Sequence, residues 1–377
     1  MSNGKVIAVG MSGGIDSSVA ACLLKKQGYA VIGLTMRIWD GPAEHKGIRS
    51  GCYGPNEAHD IADAEKAAKI LGIKHHIIDL RSEYRETVIE HFQREYAEGR
   101  TPNPCVVCNA RIKFGSLLDK ALSSGIGFDL FATGHYARIV YEPAYRITLL
   151  KRGADPAKDQ SYFLCHLPRE KLDKLTFPLG EYHKTKVRQI ATESGLEEFL
   201  QKPESQDFLE SDDYGALLRD KGAPGNIRDT NGNTIGGHRG IPFYTIGQRR
   251  FLGLSGLKEP FYVLRIDHED NEIVAGPKEY LFGNNLIAEN MNWFVPFRSS
   301  LWENSVKAQI RYRSSPAECT VSLVDDKMTI VEFVQSQKAI TPGQAIVFYT
   351  GDTVLAGGTV KLPVHEAGFP DRNEAPS

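Results

Sequence analysis

The first third of the chain alternates short apolar runs with helical spacing. Residues 5–10 (KVIAVG) end in glycine and have the pattern of a buried parallel strand. Residues 17–28 place Val19, Ala20, Leu23 and Leu24 on one helical face, with Gly28 as a stop. Residues 29–37 (YAVIGLTMR) predict a second strand, 41–55 a glycine-rich loop and 57–71 a helix. Further strands are predicted over 75–80 and 128–133. This alternation predicts an α/β fold whose parallel sheet is covered on both faces. Ligands of such sheets sit at the carboxyl ends of the strands.

The organisation changes near residue 200. Residues 201–240 are rich in Gly, Asp, Asn and Pro, which predicts a linker and a small loop-rich module. From about Ile273 onward, strand-like segments follow at 306–312, 318–324, 328–333, 345–349 and 353–361. Their close spacing and turn signals predict an antiparallel barrel or sandwich. The polar tail after Val364 is expected to be disordered.

Composition adds limits. A length of 377 residues implies two or three domains, and 41% hydrophobic with 24% charged residues is ordinary for a globular protein. No apolar run approaches the roughly 20 residues needed to span a bilayer. The opening Met1-Ser2-Asn3-Gly4-Lys5 leads directly into a strand without signal-peptide architecture, so a cytoplasmic protein with no membrane partner is expected. A net charge of -2 advertises no global field for nucleic acid, which leaves phosphate affinity to local Lys and Arg placement. In a reducing compartment the six cysteines form no disulfide framework, so their clustering matters more than their number.

The sharpest motif is Gly10-Met11-Ser12-Gly13-Gly14-Ile15-Asp16-Ser17-Ser18, between the first strand and the first helix. Gly13 and Gly14 let the backbone approach an anion closely, and the helix supplies unpaired N–H groups and the positive end of its dipole. Ser12, Ser17 and Ser18 add hydroxyls, while Asp16 is suited to hold Mg2+ on the phosphates. The loop lacks the Gly-Lys-Ser/Thr ending of a Walker A motif and is not a dinucleotide GxGxxG. It resembles the pyrophosphate (PP) loop of ATP pyrophosphatases, which form adenylates.

The second motif is Thr101-Pro102-Asn103-Pro104-Cys105-Val106-Val107-Cys108-Asn109, followed by Arg111 and Lys113. Its two prolines stiffen the segment and are expected to break any helix. Alone, CxxC is open to three readings: a redox pair, half a metal site or two buried thiols.

Together with the PP-loop, this segment resembles the tRNA-specific 2-thiouridylases over nearly the whole chain. The likeness includes Met36, Lys113-Phe114, residues 132–138 (ATGHYAR), 158–163 (KDQSYF), 202–207 (KPESQD), 244–250 (YTIGQRR) and 311–313 (RYR). It implies an N-terminal PP-loop (adenine nucleotide alpha hydrolase-like) catalytic domain over 1–200. A linker and small central tRNA-binding module would span 201–275, a C-terminal antiparallel β-barrel 276–364, and the tail 365–377. Gly10 to Ser17, Met36 and Gly134 would bind ATP. Asn103, Pro104 and Cys105 would lie beside the target base. His135, Lys158, Asp159, Gln160, Arg311, Tyr312 and Gln344 would contact tRNA, and Cys108 matches the catalytic cysteine. The implied reaction is ATP-dependent 2-thiolation of wobble uridine 34 in tRNAs for Lys, Glu and Gln. The implied sulfur donor is a cysteine desulfurase, a relay protein or free sulfide.

Two departures touch the mechanism. The commonest family form has an acidic residue at the position of Cys105, and a second catalytic cysteine where this chain has Leu209. Leucine does no sulfur chemistry. Either Cys105 replaces the missing thiol and exchanges persulfide with Cys108, or Cys52, Cys105 and Cys108 hold a [4Fe–4S] cluster with one open iron. Cys22, Cys165 and Cys319 are read as buried small hydrophobes. Zinc is a weaker alternative because no second CxxC or HxxxH partners the first, and adjacent His75 and His76 face opposite ways on a strand.

Two basic segments remain. Residues 182–188 predict a basic helix that is either a solvated face or a tRNA backbone contact. Gln248-Arg249-Arg250, flanked by Tyr244 and Phe251, has the character of an RNA-contacting loop. Two competing functions stay open at this stage: a PP-loop synthetase acting on a small molecule, and an inactive tRNA-binding or sulfur-carrier homologue.

Overall fold

The computed structural model describes residues 4–41, 51–202, 207–209, 214–257 and 259–361. In chain order the N-terminal module begins β1 (Val6–Gly10), α1 (Ile15–Lys26), β2 (Ala30–Arg37), β3 (Gly51–Tyr53), α2 (Glu57–Leu71) and β4 (Lys74–Asp79). It continues with helical stretches α3 (81–97) and α4 (104–123), then β5 (Leu130–Thr133), β6 (Ala137–Glu142), β7 (Ile147–Arg152), β8 (Leu175–Thr176), α5 (Lys184–Glu193) and β9 (Asp207–Leu209).

Alternation along β1 sends neighbouring side chains to opposite faces. Ile7 and Val9 join α1, α2 and α5 through Val19, Ala64, Ala68 and Val187. Ala8 faces a second core with Tyr84, Val88, Phe92, Ile112 and Phe114 from α3 and α4. Each large apolar side chain buried in this way contributes about 1.5–3 kcal/mol. The parallel sheet runs in the order β4-β2-β1-β5-β8, so the loops after β1, β2 and β5 open on one edge.

The central module has β10 (Gly225–Arg228), β11 (Thr234–His238), β12 (Tyr262–Asp267) and β13 (Glu272–Gly276), in the order β11-β10-β13-β12 around Ile227, Val263 and Ile273. The last module comprises β14 (Phe282–Trp293), β15 (Lys307–Gln309), β16 (Ala317–Asp325), β17 (Met328–Lys338), β18 (Ala345–Thr350) and β19 (Thr353–Val360). Here β14 pairs with both β17 and β19, which closes a six-stranded antiparallel barrel with no free edge. Thr353 also pairs with Lys151, stitching the β6–β7 hairpin of the first module onto the barrel. Phe294, Val347 and Tyr349 of the barrel share a core with the first module.

Four features differ from the sequence pattern. β14, the longest barrel strand, was not expected, because Asn and Gly interrupt its apolar positions (FGNNLIAENMNW). The β6–β7 hairpin and the four-stranded central sheet also escaped the pattern. Pro104 begins a helix instead of breaking one: it sits at the first helical position, where its missing N–H costs nothing, and Asn103 caps the turn by accepting from Val106 N at 3.3 Å. Among the described residues no helix is long and apolar enough to cross a membrane. The tail lies outside the described residues.

Candidate active site at the carboxyl edge of the parallel sheet

The PP-loop leaves β1 at Gly10 and enters α1 at Ile15. Gly13 has φ +70°, and a Cβ there would stand 2.3 Å from the Asp60 carbonyl, so only glycine fits against α2. A Cβ on Gly134 would likewise meet the Asp16 and Ser17 backbone at 2.7 Å, so the loop after β5 lies directly on the start of α1. Met11 and Ile15 bury their side chains, which leaves only their backbone groups to meet a nucleotide. Met36 is half-buried near the end of β2. Ser12 N donates to Ser17 Oγ at 3.2 Å, and the Ser17 and Ser18 hydroxyls donate to Gly14 O.

The loop's charges are already paired. Lys184 Nζ donates to both Asp16 oxygens, at 2.7 and 2.8 Å, and the Tyr136 hydroxyl adds a third bond at 2.8 Å. Lys184 is therefore neither a solvated nor a tRNA-facing residue of the basic helix; its side chain is only 11% exposed. Lys202 Nζ bridges Gly13 O at 3.2 Å, Asp63 at 2.6 Å and Asp60 at 2.7 Å. Burial raises the Asp60 carboxyl, and its two carboxylate partners raise the Lys202 ammonium against the desolvation that opposes them. Both lysines escaped sequence reasoning; the only signal was a basic residue in each of two segments far from the loop.

The second half of the site is drier. Cys105 and Cys108 sit on α4, Cys108 buried and Cys105 half-buried, and a π-helical turn runs over Cys108–Ser116. Such wide turns recur at functional sites. Cys52 lies on β3, which pairs in parallel with β9, and its thiol donates to Phe208 O at 3.6 Å. The three thiols are within electrostatic reach of one another. Desolvation first, then Cys105 and Cys108, raise the Cys52 thiol far above its ordinary range, while Lys113 opposes them. By surface area Cys52 is nonetheless exposed, so the recess formed by the three thiols is open at Cys52 and closed at Cys108. Burial also raises Cys108, again opposed by Lys113. Of the two expected cations, Lys113 faces the thiols, whereas Arg111 acts on His166.

Leu209 pairs with Tyr53 and is buried with it, so position 209 is a core position here. Among the described residues no three His, Cys, Asp or Glu side chains could hold a single metal ion. Cys22, Cys165 and Cys319 are buried, as expected.

The expected tRNA-contacting residues gather at the junction of the modules. The Asp159 carboxylate accepts from Arg152, Gly153 and Ser161, and Gln160 accepts from Tyr136 N at 3.0 Å. His135 is buried between Phe114 and Phe177, with Nδ1 2.7 Å from the Thr133 hydroxyl, and desolvation lowers it well below the ordinary histidine range. Lys158 is half-buried. Arg311 donates to Ala339 O at 2.7 Å, and Tyr312 packs on Phe163 at 4.3 Å. Gln344 Nε2 donates to Thr101 O at 2.8 Å, while Thr101 N donates to Pro342 O at 2.8 Å and its hydroxyl meets Thr245 of the central module at 3.1 Å. Both later modules thus grip the residue that leads into the cysteine helix. Arg249, Arg250 and Phe251 point outward instead, with Phe251 83% exposed.

Three family descriptions match the chain: the tRNA methyl transferase HUP domain over residues 5–209, the tRNA methyl transferase PRC-barrel domain over 217–277 and the aminomethyltransferase beta-barrel domain over 283–360. The tRNA-specific 2-thiouridylase MnmA of Endomicrobium trichonymphae is 45% identical over 359 residues, covering 94% of this chain and 98% of that protein. MnmA 2 of Thermoanaerobacter sp. (strain X514) is 44% identical over 362 residues, covering 94% and 97%. MnmA of Carboxydothermus hydrogenoformans is 44% identical over 371 residues, covering 95% and 98%.

Proposed function

The chain belongs to the tRNA-specific 2-thiouridylase family, and we propose that it carries the transferred sulfur on Cys52, Cys105 and Cys108. Its activity is ATP-dependent 2-thiolation of uridine in tRNA. The likeness to thiouridylases over almost the full length disfavours both a small-molecule synthetase and an inactive homologue. The finer expectation is wobble uridine 34 of tRNAs for Lys, Glu and Gln, modified in the cytoplasm.

The first step needs an electrophilic phosphorus and a held leaving group. Uridine O2 attacks the α-phosphorus of ATP, the bond to the β-phosphate oxygen breaks, and pyrophosphate leaves. The N–H groups around Ser12 to Ser17 and the amino end of α1 suit the phosphates. Asp16, with Lys184 and Tyr136, is the carboxylate available to a magnesium ion on them. In the second step a sulfur nucleophile attacks C2, and AMP departs carrying the former O2. Asn103, Pro104 and the half-buried Cys105 begin the cysteine helix, where the target base would lie. The exposed Arg249, Arg250 and Phe251 offer charge and a stacking face to RNA.

The observation that carries the sulfur assignment is the convergence of Cys52, from a distant segment, on the Cys105/Cys108 pair. Three neighbouring thiolates repel one another unless a cation sits among them, and metal coordination removes their protons outright. These donors fit a [4Fe–4S] cluster, and three protein thiolates leave one iron free to bind sulfide.

The test is anaerobic purification with iron and sulfide analysis of wild type and Cys105→Ala, alongside 2-thiouridine formation in tRNA. About four irons per chain, lost in the variant together with thiolation, is the expected result. Iron-free protein that still thiolates would replace the cluster by persulfide exchange between Cys105 and Cys108, a route served by Lys113. Absence of thiolation with every sulfur donor, in protein that binds ATP and tRNA, would overturn the activity itself.

A further inference from the structure

Tyr84 is completely buried on α3, just before a π-helical turn at Arg85–Ile89, and its hydroxyl has no hydrogen-bond partner among the described residues. Buried polar groups are nearly always paired, so an orphan of this kind needs a reason. Its ring stacks on Tyr53 at 5.1 Å with an 18° tilt, and Tyr53 directly follows Cys52. The stacked partner is conventional: the Tyr53 hydroxyl donates to Asp40 Oδ1 at 3.0 Å. Tyr84 shares its core with Cys108, with Cys105 packed against the same cluster. All three recess cysteines act on the phenol, and with desolvation they hold it protonated well above the ordinary tyrosine range. The group is therefore a buried O–H donor in the same core as Cys108 and stacked on the neighbour of Cys52, with no acceptor among the described residues.

We propose that the Tyr84 hydroxyl donates a hydrogen bond to the anionic sulfur carried in the Cys52/Cys105/Cys108 recess. This inference rests on the reading of that recess as the sulfur-carrying site. The bond would form when sulfur is loaded and be released as sulfur leaves for uridine C2. It would hold the sulfur in place and lower its basicity while it waits. The shared chemistry is a sulfur anion, whether persulfide or iron-bound sulfide, and a donor held in a dry pocket suits either. The missing partner is then the cargo, and the folded chain carries an incomplete site until it is loaded.

The test is Tyr84→Phe, which keeps the ring and its stack and removes one oxygen. Sulfur-free protein should melt at the same temperature or higher, because an orphaned hydroxyl is lost. Retention of the loaded sulfur should fall about tenfold, the loss of one hydrogen bond to a charged group, and thiolation at limiting sulfur donor should fall with it, with tRNA-dependent pyrophosphate release retained. Loaded protein should also change its sulfur signature: a shifted visible band if iron is present, or faster alkylation if persulfide is present. Tyr53→Phe is the control, expected to lower the melting temperature and leave the sulfur signature in place. A lower melting temperature for sulfur-free Tyr84→Phe would show that the hydroxyl is already bonded within the chain and overturn the proposal. Unchanged thiolation and signature would overturn it too, leaving a buried water as the partner. If Cys105→Ala leaves sulfur content and thiolation untouched, the underlying reading of the recess fails. If only Tyr84→Phe is silent, that reading stands and Tyr84 alone is dismissed.

Discussion

The phosphate loop and the cysteine recess open on the same edge of one sheet, yet they are built on opposite principles. Around the loop every charge has a fixed counterpart: Asp16 with Lys184 and Tyr136, and Lys202 with Asp60 and Asp63. Around the recess are thiols raised by burial, a phenol without a partner and a buried neutral histidine. Adenylation moves charge between phosphates, and preorganised dipoles and ions serve it best. Sulfur transfer needs a nucleophile that is neither hydrated nor oxidised, and the burial of Cys108 and Tyr84 serves that. The two halves of the reaction are separated by dielectric environment within one cleft.

The strongest way to break this contrast is to remove the ion at the centre of the charged half. Lys184→Met keeps the length of the side chain but leaves Asp16 with Tyr136 as its only donor among these contacts. Asp16 is 29% exposed, so the stability cost should be modest, about 1–2 kcal/mol. Adenylation depends on the geometry of the loop and should fall by about a hundredfold. The measurement is tRNA-dependent pyrophosphate release, set beside iron or persulfide content. A comparable loss of sulfur content would mean that the halves are not separate.

The converse disturbs the recess and spares the loop. Gly343 has φ +89°, and a Cβ there would stand 2.9–3.0 Å from Thr101 N, C and O. Gly343→Ala therefore strains the backbone and pushes on the entry to the cysteine helix, at a cost of about 1–3 kcal/mol. Misplacing a reactive group by a fraction of an ångström is enough to slow thiolation about tenfold, with pyrophosphate release intact. Melting temperature and product analysis by mass spectrometry read both effects. Unchanged thiolation in a destabilised variant would confine the barrel's grip on Thr101 to a structural role.

The same contrast explains what the sequence disclosed. The loop was legible because its chemistry is local: three glycines, three serines and an aspartate in nine residues at the end of one strand. The barrel strands were legible wherever apolar residues and turns recur at close spacing, and β14 was lost where asparagines interrupt the pattern. Cys52 could be paired with Cys105 and Cys108 because a loop after the second strand must reach the same edge of the sheet. Lys184, Lys202 and Tyr84 could not be found that way. Each acts through a long-range contact, and although Lys202 opens the 202–207 segment, that motif does not say what its ammonium meets. The residues expected to touch tRNA are a different case. Asp159, Gln160 and Gln344 have motif-like neighbours, but their polar atoms are engaged within the chain, so their first effect is on the shape of the junction.

The smallest effect, and the one that measures dryness directly, is the response to acid. His166 is lowered to about 4, chiefly by desolvation, with Arg111 adding to the shift and the Gly358 backbone opposing it. In the unfolded chain the same ring takes up a proton near 6.5. Between those values the unfolded state binds a proton that the folded state refuses. The stability difference is therefore absent above about pH 6.5 and grows as pH falls toward 4. At pH 5.5 it should amount to about 1.4 kcal/mol relative to pH 7.5. Urea unfolding of wild type and His166→Asn at both values checks this, and the variant should lose that increment. His75, beneath the phosphate loop and hydrogen-bonded to the Thr35 hydroxyl at 2.7 Å, is also lowered by burial, with Glu65 opposing the shift. His75→Asn should remove a smaller part of the acid sensitivity than His166→Asn. Equal parts would mean that the ring beneath the phosphate loop is as strongly desolvated as the ring beside the barrel.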